Sequence, residues 1–281
     1  MRLKTSHWHK SVTDQDHSNI VKVSAMTTKT EKTIYKISTL EKGLNILEIL
    51  AENGSLSVTE LAKLSGQNRS ASHRFLAALK DLGYLHQGAD SKYSLSLKLF
   101  EIANKIDDID TVRSLARSFM RELSNLYGET VNLGRLDGSD IIVVDAVLGT
   151  EVIKFDSHIG DRSPAHTLAM GKAILASRSD EEQQEYLNKC VFKALTSHTI
   201  TDKQSLQSEL VKIKNQGYSI DDEEWALGLR CIAIPIFNAP LPSYAISVSG
   251  PTSRMNPEKI EKLRSDLMMA GRAISDQLRQ G

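Results

Sequence analysis

Apolar side chains recur at helical spacing near the start of the chain, and the pattern predicts three helices. The first has leucines with a period of 3.6 residues, at Leu40, Leu44, Leu47 and Leu50. A capping box predicts a short second helix over 58–64, and Asn68 can cap a third helix over 69–81. The turn between these two helices, 65–67, contains a glycine. Two helices joined in this way are typical of a helix-turn-helix.

A β-hairpin is predicted directly after the third helix. The runs 84–87 and 92–95 have strand-forming residues, and the turn residues Gly88-Ala89-Asp90 separate them. A hairpin that follows three helices is the wing of a winged helix-turn-helix. We therefore assign residues 36–96 to such a domain.

The amino-terminal end of the third helix carries the residue types that DNA recognition needs. The apolar stripe of this helix is predicted to face inward, which leaves an outward polar cluster: Asn68, Arg69, Ser70, Ser72, His73 and Arg74. Helix-turn-helix proteins present this part of the second helix to base edges in the major groove. Lys92 in the hairpin is placed to contact a phosphate. The alternative interpretation of the cluster is an ordinary solvated helix face.

Downstream of residue 109, strands and helices alternate in mixed order. Strand-like runs lie at 130–136, 141–147, 152–155, 232–237 and 244–249, and helical periodicity lies at 110–127, 168–178, 202–216 and 257–278. The dipeptide Asp137-Gly138 favours a type I′ hairpin turn between the first two strands. This mixture predicts an α+β domain over 109–281, with helices packed on a sheet.

Charge is distributed unevenly between the two predicted domains. The whole chain is neutral, with 35 Lys and Arg against 35 Asp and Glu. Residues 1–100 carry 14 Lys and Arg against 9 Asp and Glu, a net charge of +5, so the remaining residues carry −5. A basic first part suits an anion-binding module joined to a domain with another task. Residues 1–35 are polar and without period, and we interpret them as a mobile tail.

Cysteine usage and hydropathy exclude further classes of protein. The two cysteines, Cys190 and Cys231, are far apart and in no CxxC pair, so neither a disulfide framework nor a thiolate zinc site is expected. No apolar run approaches the ~20 residues that span a bilayer, and no signal peptide is evident. We expect a cytoplasmic protein without membrane contact. The acidic run 221–224 is interpreted as a helix start rather than a metal site, and no metal or cofactor is expected.

Several segments, in order along the chain, resemble the IclR family of bacterial transcriptional regulators: STLEKGLNILEILAENGSLSVTELAKLSGQNRSASHRFLAALKDLGYL, KYSLSLKLFEIA, ETVNLGRLDGSDIIVV, PAHTLAMGKAILA, GYSIDDEEWALGLRCIAIPIF and AISVSGPTSR. The segments are similar to the subgroups that regulate the glyoxylate bypass, allantoin use and 2-keto-3-deoxygluconate metabolism. The resemblance implies a linker helix over 97–108 and an effector-binding domain over 109–281. It also implies a ligand-responsive repressor that binds double-stranded operator DNA as a homodimer or a dimer of dimers.

The resemblance further implies where a small carboxylate effector binds. Polar contacts would come from Asp221, Cys231, Ser247 and Ser249. Ala169 and Met170 would lie in the loop before Gly171, with Val152 and Phe155 as apolar walls. Two observations on the residues agree with this: Ser247 and Ser249 are two apart on a strand and so face the same side, and amides at the start of a helix near Gly171 favour an anion.

Other functions are compatible with some of these residues. Cys231 lies in an apolar run, where a cysteine is more often a packed core thiol. A small-molecule enzyme would use Cys231 or Ser247 as nucleophile and His166 as base. No nucleophile elbow, phosphate loop, dinucleotide fingerprint or zincin pair occurs, so we expect no enzyme. A purely protein-binding module would leave the polar cluster of the third helix without a purpose.

Overall fold

The computed structural model describes residues 37–105, 109–237 and 243–280. The predicted tail over 1–35 and the last three residues of the predicted linker, 106–108, lie outside these ranges. None of the helices within them combines the length and the apolarity that a membrane crossing requires. The same residues contain no group of three or more His, Cys, Asp or Glu side chains arranged to hold a metal ion.

The first part of the described chain contains three helices and a hairpin, as predicted. The helices are α1 (Ser38–Asn53), α2 (Val58–Ser65) and α3 (Arg69–Asp81), and the hairpin strands are β1 (Leu85–Gln87) and β2 (Tyr93–Leu95). Local signals set the helix starts: Ser57 and Glu60 form the capping box of α2, and the Asn68 side chain accepts from the Ala71 amide. One small core holds these elements together, built around Ile46, Leu50, Leu61, Leu76 and Tyr93.

A short helix, α4 (Lys98–Ala103), lies in the predicted linker, and a long helix, α5 (Ile109–Tyr127), follows the undescribed residues 106–108. Apolar residues of α4 remain on the surface, with Leu97 before it 78 % exposed and Phe100 64 % exposed.

The second part of the chain is built on an antiparallel sheet, which confirms the predicted α+β class. The described strands are β3 (Thr130–Asp137), β4 (Asp140–Val147), β5 (Arg162–Pro164), β6 (Ser219–Asp222), β7 (Leu229–Ile236) and β8 (Tyr244–Pro251). They form one six-stranded sheet in the order β5-β4-β3-β8-β7-β6. The helices are α6 (Ala169–Ala176), α7 (Asp180–Lys189), α8 (Lys203–Gln216) and α9 (Pro257–Gln280), with a 3-10 turn at Ala165–Thr167.

The two faces of this sheet belong to different cores because strand side chains alternate. On one face, Ile232, Ile246 and Val248 pack with apolar residues of α5 and α9. On the other face, Cys231, Ala233 and Ala245 pack with α6, α7 and α8. The second face also carries the polar residues described below.

Several predicted elements differ from the structure. The run 152–155 is not a strand but part of an irregular loop, and the acidic run 221–224 ends β6 and enters a turn instead of starting a helix. The hairpin loop between β3 and β4 is Gly138-Ser139, with positive φ at Gly138 alone, so the geometry fits type II′ rather than type I′. Helix α7 was not predicted. The strands β5 and β6 were also not predicted, because they have only three and four residues.

Candidate nucleic-acid interface and ligand site

The start of α3 presents a compact polar surface. Arg69, Ser70, His73 and Arg74 are exposed, and Asn68 caps the helix through its Oδ1 atom, which accepts from the Ala71 amide at 2.8 Å. The first two turns of α3 therefore carry two guanidinium groups, an imidazole and a hydroxyl on the side away from the core. This arrangement matches the donor set that reads base edges and phosphates.

Ser72 does not belong to this surface, and its assignment to the DNA-binding cluster is wrong. Its side chain is 0 % exposed, and its Oγ has no hydrogen-bond partner among the described residues. The reason is helical geometry: Ser72 lies one turn before the core residue Leu76, so both point inward.

Lys92 lies at the end of the hairpin loop. Its amide donates to the Asp90 carboxylate at 3.1 Å, and its carbonyl accepts from the Gly88 amide at 2.9 Å. Ser91 beside it takes a positive φ of 62°. Hydrogen bonds among its own residues thus hold the loop, and Lys92 is half-buried at its end.

A polar floor lies on the α6 side of the sheet, formed by two rows of directly opposed residues. We use the term polar floor for these two rows. The first row runs across β6, β7, β8 and β3 as Asp221, Cys231, Ser249 and Thr130. The second row runs across the same strands as Ser219, Ala233, Ser247 and Asn132. Opposed residues in an antiparallel sheet share a face, so the structure brings together all four sequence-predicted polar ligand residues.

Buried polar atoms without partners mark the same region. Asn132 Oδ1, Asp221 Oδ2 and Glu224 Oε2 are buried and have no hydrogen-bond partner among the described residues. Asn132 uses its amide group to donate to Ser249 Oγ at 3.3 Å. Buried polar groups normally find partners, so three unpaired side-chain oxygens in or beside these two rows are unusual for a close-packed core.

Three buried charged groups lie at the β6 end of the floor. Lys172 on α6 donates to the Ile220 carbonyl at 2.7 Å and forms an ion pair with Glu224. Burial raises the pKa of Glu224, and burial together with the charge of Glu224 raises the pKa of Asp221 to about 7. Burial, and then the charge of Asp221, raises the pKa of the Cys231 thiol well above its ordinary value.

Ala169 and Met170 are the first residues of α6 rather than part of a loop before it. Both are buried, and the Met170 thioether occupies space that glycine leaves open: a Cβ on Gly134 would lie 2.8 Å from Met170 Sδ. The first amides of a helix lack intrahelical acceptors, so the α6 start offers donors to an anion. The Met170 side chain thus covers the α6 side of the sheet at Gly134 of β3.

Two irregular segments contribute an aromatic pair, and of the two residues predicted as apolar walls, Phe155 but not Val152 packs on the α6 side of the sheet. Phe155 contacts Trp225 edge-on, with ring centroids 5.5 Å apart, and its carbonyl accepts from Thr130 at 2.6 Å. The Trp225 indole donates to Ser163 at 3.1 Å. Val152 is 96 % exposed, so its assignment as a wall is wrong. The run 152–155 leaves the sheet, which places Val152 in solvent.

His166 is buried, but it contacts neither proposed nucleophile. Its Nδ1 lies 3.5 Å from Cys190 Sγ, and its ring packs edge-on against Phe192. Burial lowers its pKa to about 4 and raises the pKa of Cys190. A neutral imidazole beside a protonated thiol is a packed polar contact, and the structure gives no Cys231–His166 or Ser247–His166 pair among the residues it describes.

Sequence reasoning missed five polar residues of this region: Thr130, Asn132, Lys172, Ser219 and Glu224. Thr130 and Asn132 alternate on β3 in the way that Ser247 and Ser249 alternate on β8, so the same period-two argument could have found them. The Lys172–Glu224 pair joins residues 52 positions apart and has no local signal.

Comparison with known proteins covers both parts of the chain. The IclR helix-turn-helix domain model matches residues 39–89, and the model for the bacterial transcriptional regulator IclR C-terminal domain matches residues 105–276. The HTH-type transcriptional regulator KdgR of Dickeya chrysanthemi is 39 % identical over 245 residues, 86 % of this chain and 80 % of the relative. The transcriptional repressor IclR of Escherichia coli is 33 % identical over 245 residues, 85 % of this chain and 89 % of the relative.

Solved structures share the fold. The crystal structure of Thermotoga maritima IclR aligns with a TM-score of 0.73 and 30 % identity, and the alignment covers 86 % of this chain and 99 % of that one. An IclR homolog from Microbacterium hydrocarbonoxydans, complexed with 4-hydroxybenzoate, aligns with a TM-score of 0.74 and 22 % identity over 87 % of this chain and 100 % of that one.

Proposed function

The chain belongs to the IclR family of bacterial transcriptional regulators, and from that premise we propose that α3 and the wing bind operator DNA while the polar floor binds a small acid that controls this binding. The observation that carries the proposal is the exposed cluster of Arg69, Ser70, His73 and Arg74 at the start of α3. The relatives are named as regulators, and the chain is not an enzyme.

The proposed division of labour follows the elements of the fold. Residues 36–96 bind DNA, 97–108 link the domains, and 109–281 bind the effector. A homodimer would place two α3 helices in successive major grooves, about 34–36 Å apart, on a near-palindromic operator. The exposed Leu44 of α1 and the exposed Leu97 and Phe100 at α4 support a contact between subunits in this region. Such a regulator would meet its operator in the cytoplasm.

The DNA-binding role is tested by two arginine substitutions. We expect Arg69→Ala and Arg74→Ala each to weaken operator binding at least tenfold, about 1.4 kcal/mol, because each removes a charged donor at the base edge or phosphate. Electrophoretic mobility shift with the full chain measures this. Arg279→Ala near the end of α9 removes a guanidinium that is also exposed and should leave operator affinity unchanged. Unchanged affinity in both α3 variants would exclude α3 as the recognition helix.

The effector role is supported by the polar floor with its unpaired buried side-chain atoms and by the start of α6, since the first amides of a helix lack intrahelical acceptors. The ligand of the Microbacterium homolog is likewise an acid. A thermal-shift screen of glyoxylate, pyruvate, D-gluconate and 4-hydroxybenzoate tests the proposal, since a ligand at 100 times its Kd adds about 2.7 kcal/mol of stability. In a repressor, the acid that stabilises the protein should also release the operator, because coupling is reciprocal. Stabilisation without any change in operator affinity would contradict the regulatory role.

A further inference from the structure

The β6 end of the polar floor contains more buried acid than buried base. Asp221, Glu224 and Lys172 are all buried, and Lys172 is already paired with Glu224. Asp221 therefore has no ion-pair partner among the described residues. A buried carboxylate is stable only when it is paired or hydrogen-bonded, so its ionised form is the costly one here.

The two oxygens of Asp221 have different surroundings. Oδ1 accepts from the amides of Glu224 and Trp225 at 2.8 and 3.3 Å. Oδ2 has no hydrogen-bond partner among the described residues, although the Asp221 side chain is 0 % exposed. Directly opposite Asp221 in the first row lies Cys231, and Ser249 follows it. The unpaired oxygen thus belongs to the same floor as the serine hydroxyls.

The groups that face Asp221 come from three elements. Lys172 comes from α6, Glu224 and Trp225 from the turn after β6, and Cys231, whose thiol interacts with the Asp221 carboxyl group, from β7. Ser249 of β8 lies beyond Cys231 and interacts with its thiol. Of these, burial and the negative charge of Glu224 raise the pKa of Asp221, whereas Lys172 and the two backbone amides lower it. Glu209 of α8 raises the pKa of Glu224 and so adds negative charge at this end. With Asp221 ionised, the neighbourhood would carry net negative charge before any ligand binds.

An acidic effector adds one more negative charge beside these groups. An ionised Asp221 would repel the effector carboxylate, and its Oδ2 would offer an acceptor to another acceptor. A protonated Asp221 offers an O–H donor at the same position, and a charge-assisted hydrogen bond to a carboxylate is among the stronger ones. The unpaired oxygen then gains a partner, and no like charges meet.

We propose that Asp221 binds the effector carboxylate in its neutral form, donating a hydrogen bond from Oδ2, so that each effector bound takes up one proton from solution above neutral pH. This inference rests on the proposed effector function. Asp221 is thereby a specificity-determining residue, because its neutral form favours a ligand that carries a carboxylate.

The proton count tests the proposal on the natural full-length chain. The probe is whichever of glyoxylate, pyruvate, D-gluconate or 4-hydroxybenzoate gives the largest thermal shift at about pH 6. Isothermal titration calorimetry between about pH 5.5 and pH 8.5 gives Kd at each pH. The difference in binding heat between phosphate and Tris buffer at the same pH gives the number of protons taken up per effector. We expect Kd to rise up to tenfold per pH unit above about pH 7, with close to one proton taken up per effector.

Asp221→Asn is the matched variant. Its amide oxygen keeps the two backbone hydrogen bonds, and its NH₂ group stands where the O–H would be, but it cannot titrate. We expect this variant to bind the same acid with a Kd that does not change with pH.

Three results would overturn part or all of this. Tight binding by the natural chain with a flat Kd and no proton uptake would refute the role of Asp221 while leaving the effector function intact. An unchanged pH slope in Asp221→Asn would assign the proton to another group. Failure of every acid to bind at any pH would overturn both the effector function and this inference.

Discussion

Replacing Ser72 with alanine should stabilise the DNA-binding domain without weakening operator binding. The Ser72 hydroxyl is fully buried and has no hydrogen-bond partner among the described residues. Burying such a hydroxyl costs about 1–3 kcal/mol of desolvation free energy, and no hydrogen bond in the folded protein compensates for it. Alanine removes this cost, and its helix propensity exceeds that of serine by about 0.5 kcal/mol. Because the oxygen also has van der Waals attraction to its neighbours that alanine lacks, we expect a net gain of about 1–2 kcal/mol.

Hydrogen exchange measures this gain within the full chain. Peptides from α3 should exchange about 5–30 times more slowly in Ser72→Ala, which is the factor that 1–2 kcal/mol corresponds to. Operator affinity, measured by mobility shift, should stay within about twofold of the natural chain, since the side chain faces the core.

Ser70→Ala is the control because the same chemical change is made two residues earlier, on the exposed side of α3. There we expect stability to change by less than about 0.5 kcal/mol. A Ser72→Ala variant with normal α3 protection and reduced operator affinity would refute the reasoning, since it would place the hydroxyl on the DNA side. Destabilisation would show that Ser72 has a hydrogen-bond partner in the folded protein.

Two further predictions concern the effector-binding domain. Glu129→Gln should lower the free energy of unfolding by about 2–3 kcal/mol, because Glu129 is fully buried and forms ion pairs with Arg254 and Lys259. The two cations are partly exposed, which makes the loss smaller than for a fully buried pair. Urea unfolding followed by circular dichroism measures it. A loss below about 0.5 kcal/mol would contradict this. Gly171→Ala should cost about 1–3 kcal/mol, because a Cβ there would lie 2.0 Å from the Ala165 carbonyl oxygen, whereas Gly43→Ala in α1 meets only an ordinary contact at 3.9 Å and should be neutral or stabilising.

Local signals predicted the DNA-binding half of the chain closely. The capping residues Ser57 and Asn68 fixed two helix starts, and the hairpin followed its turn residues. Ser72 was misplaced because it lies at the border of the apolar stripe, where a small polar residue gives no sign of which side it faces. Burial there follows from its position one turn before Leu76.

The effector-binding half was less predictable because its site depends on long-range pairing. Ser247 and Ser249 could be placed on one face from their spacing alone, but the register that sets Asp221 opposite Cys231 and Thr130 opposite Ser249 cannot be read from a single sequence. The apolar run 152–155 suggested a strand, yet Arg254 and Thr130 instead hold this segment through the carbonyls of Ile153 and Phe155. Pairing of Lys172 with Glu224 is likewise a tertiary event.

The separation of the sheet into two cores has a mechanical consequence. Along each strand of the polar floor, side chains point alternately to the α6 face and to the close-packed core formed with α5 and α9. The strands therefore cannot move apart without opening that core. The sheet is therefore the stiff part of the domain. The segments that carry Phe155 and Trp225 lie outside the sheet, and the two aromatic rings contact each other. We expect an effector bound on the polar floor to change the contact between these two segments, with the sheet as a fixed support.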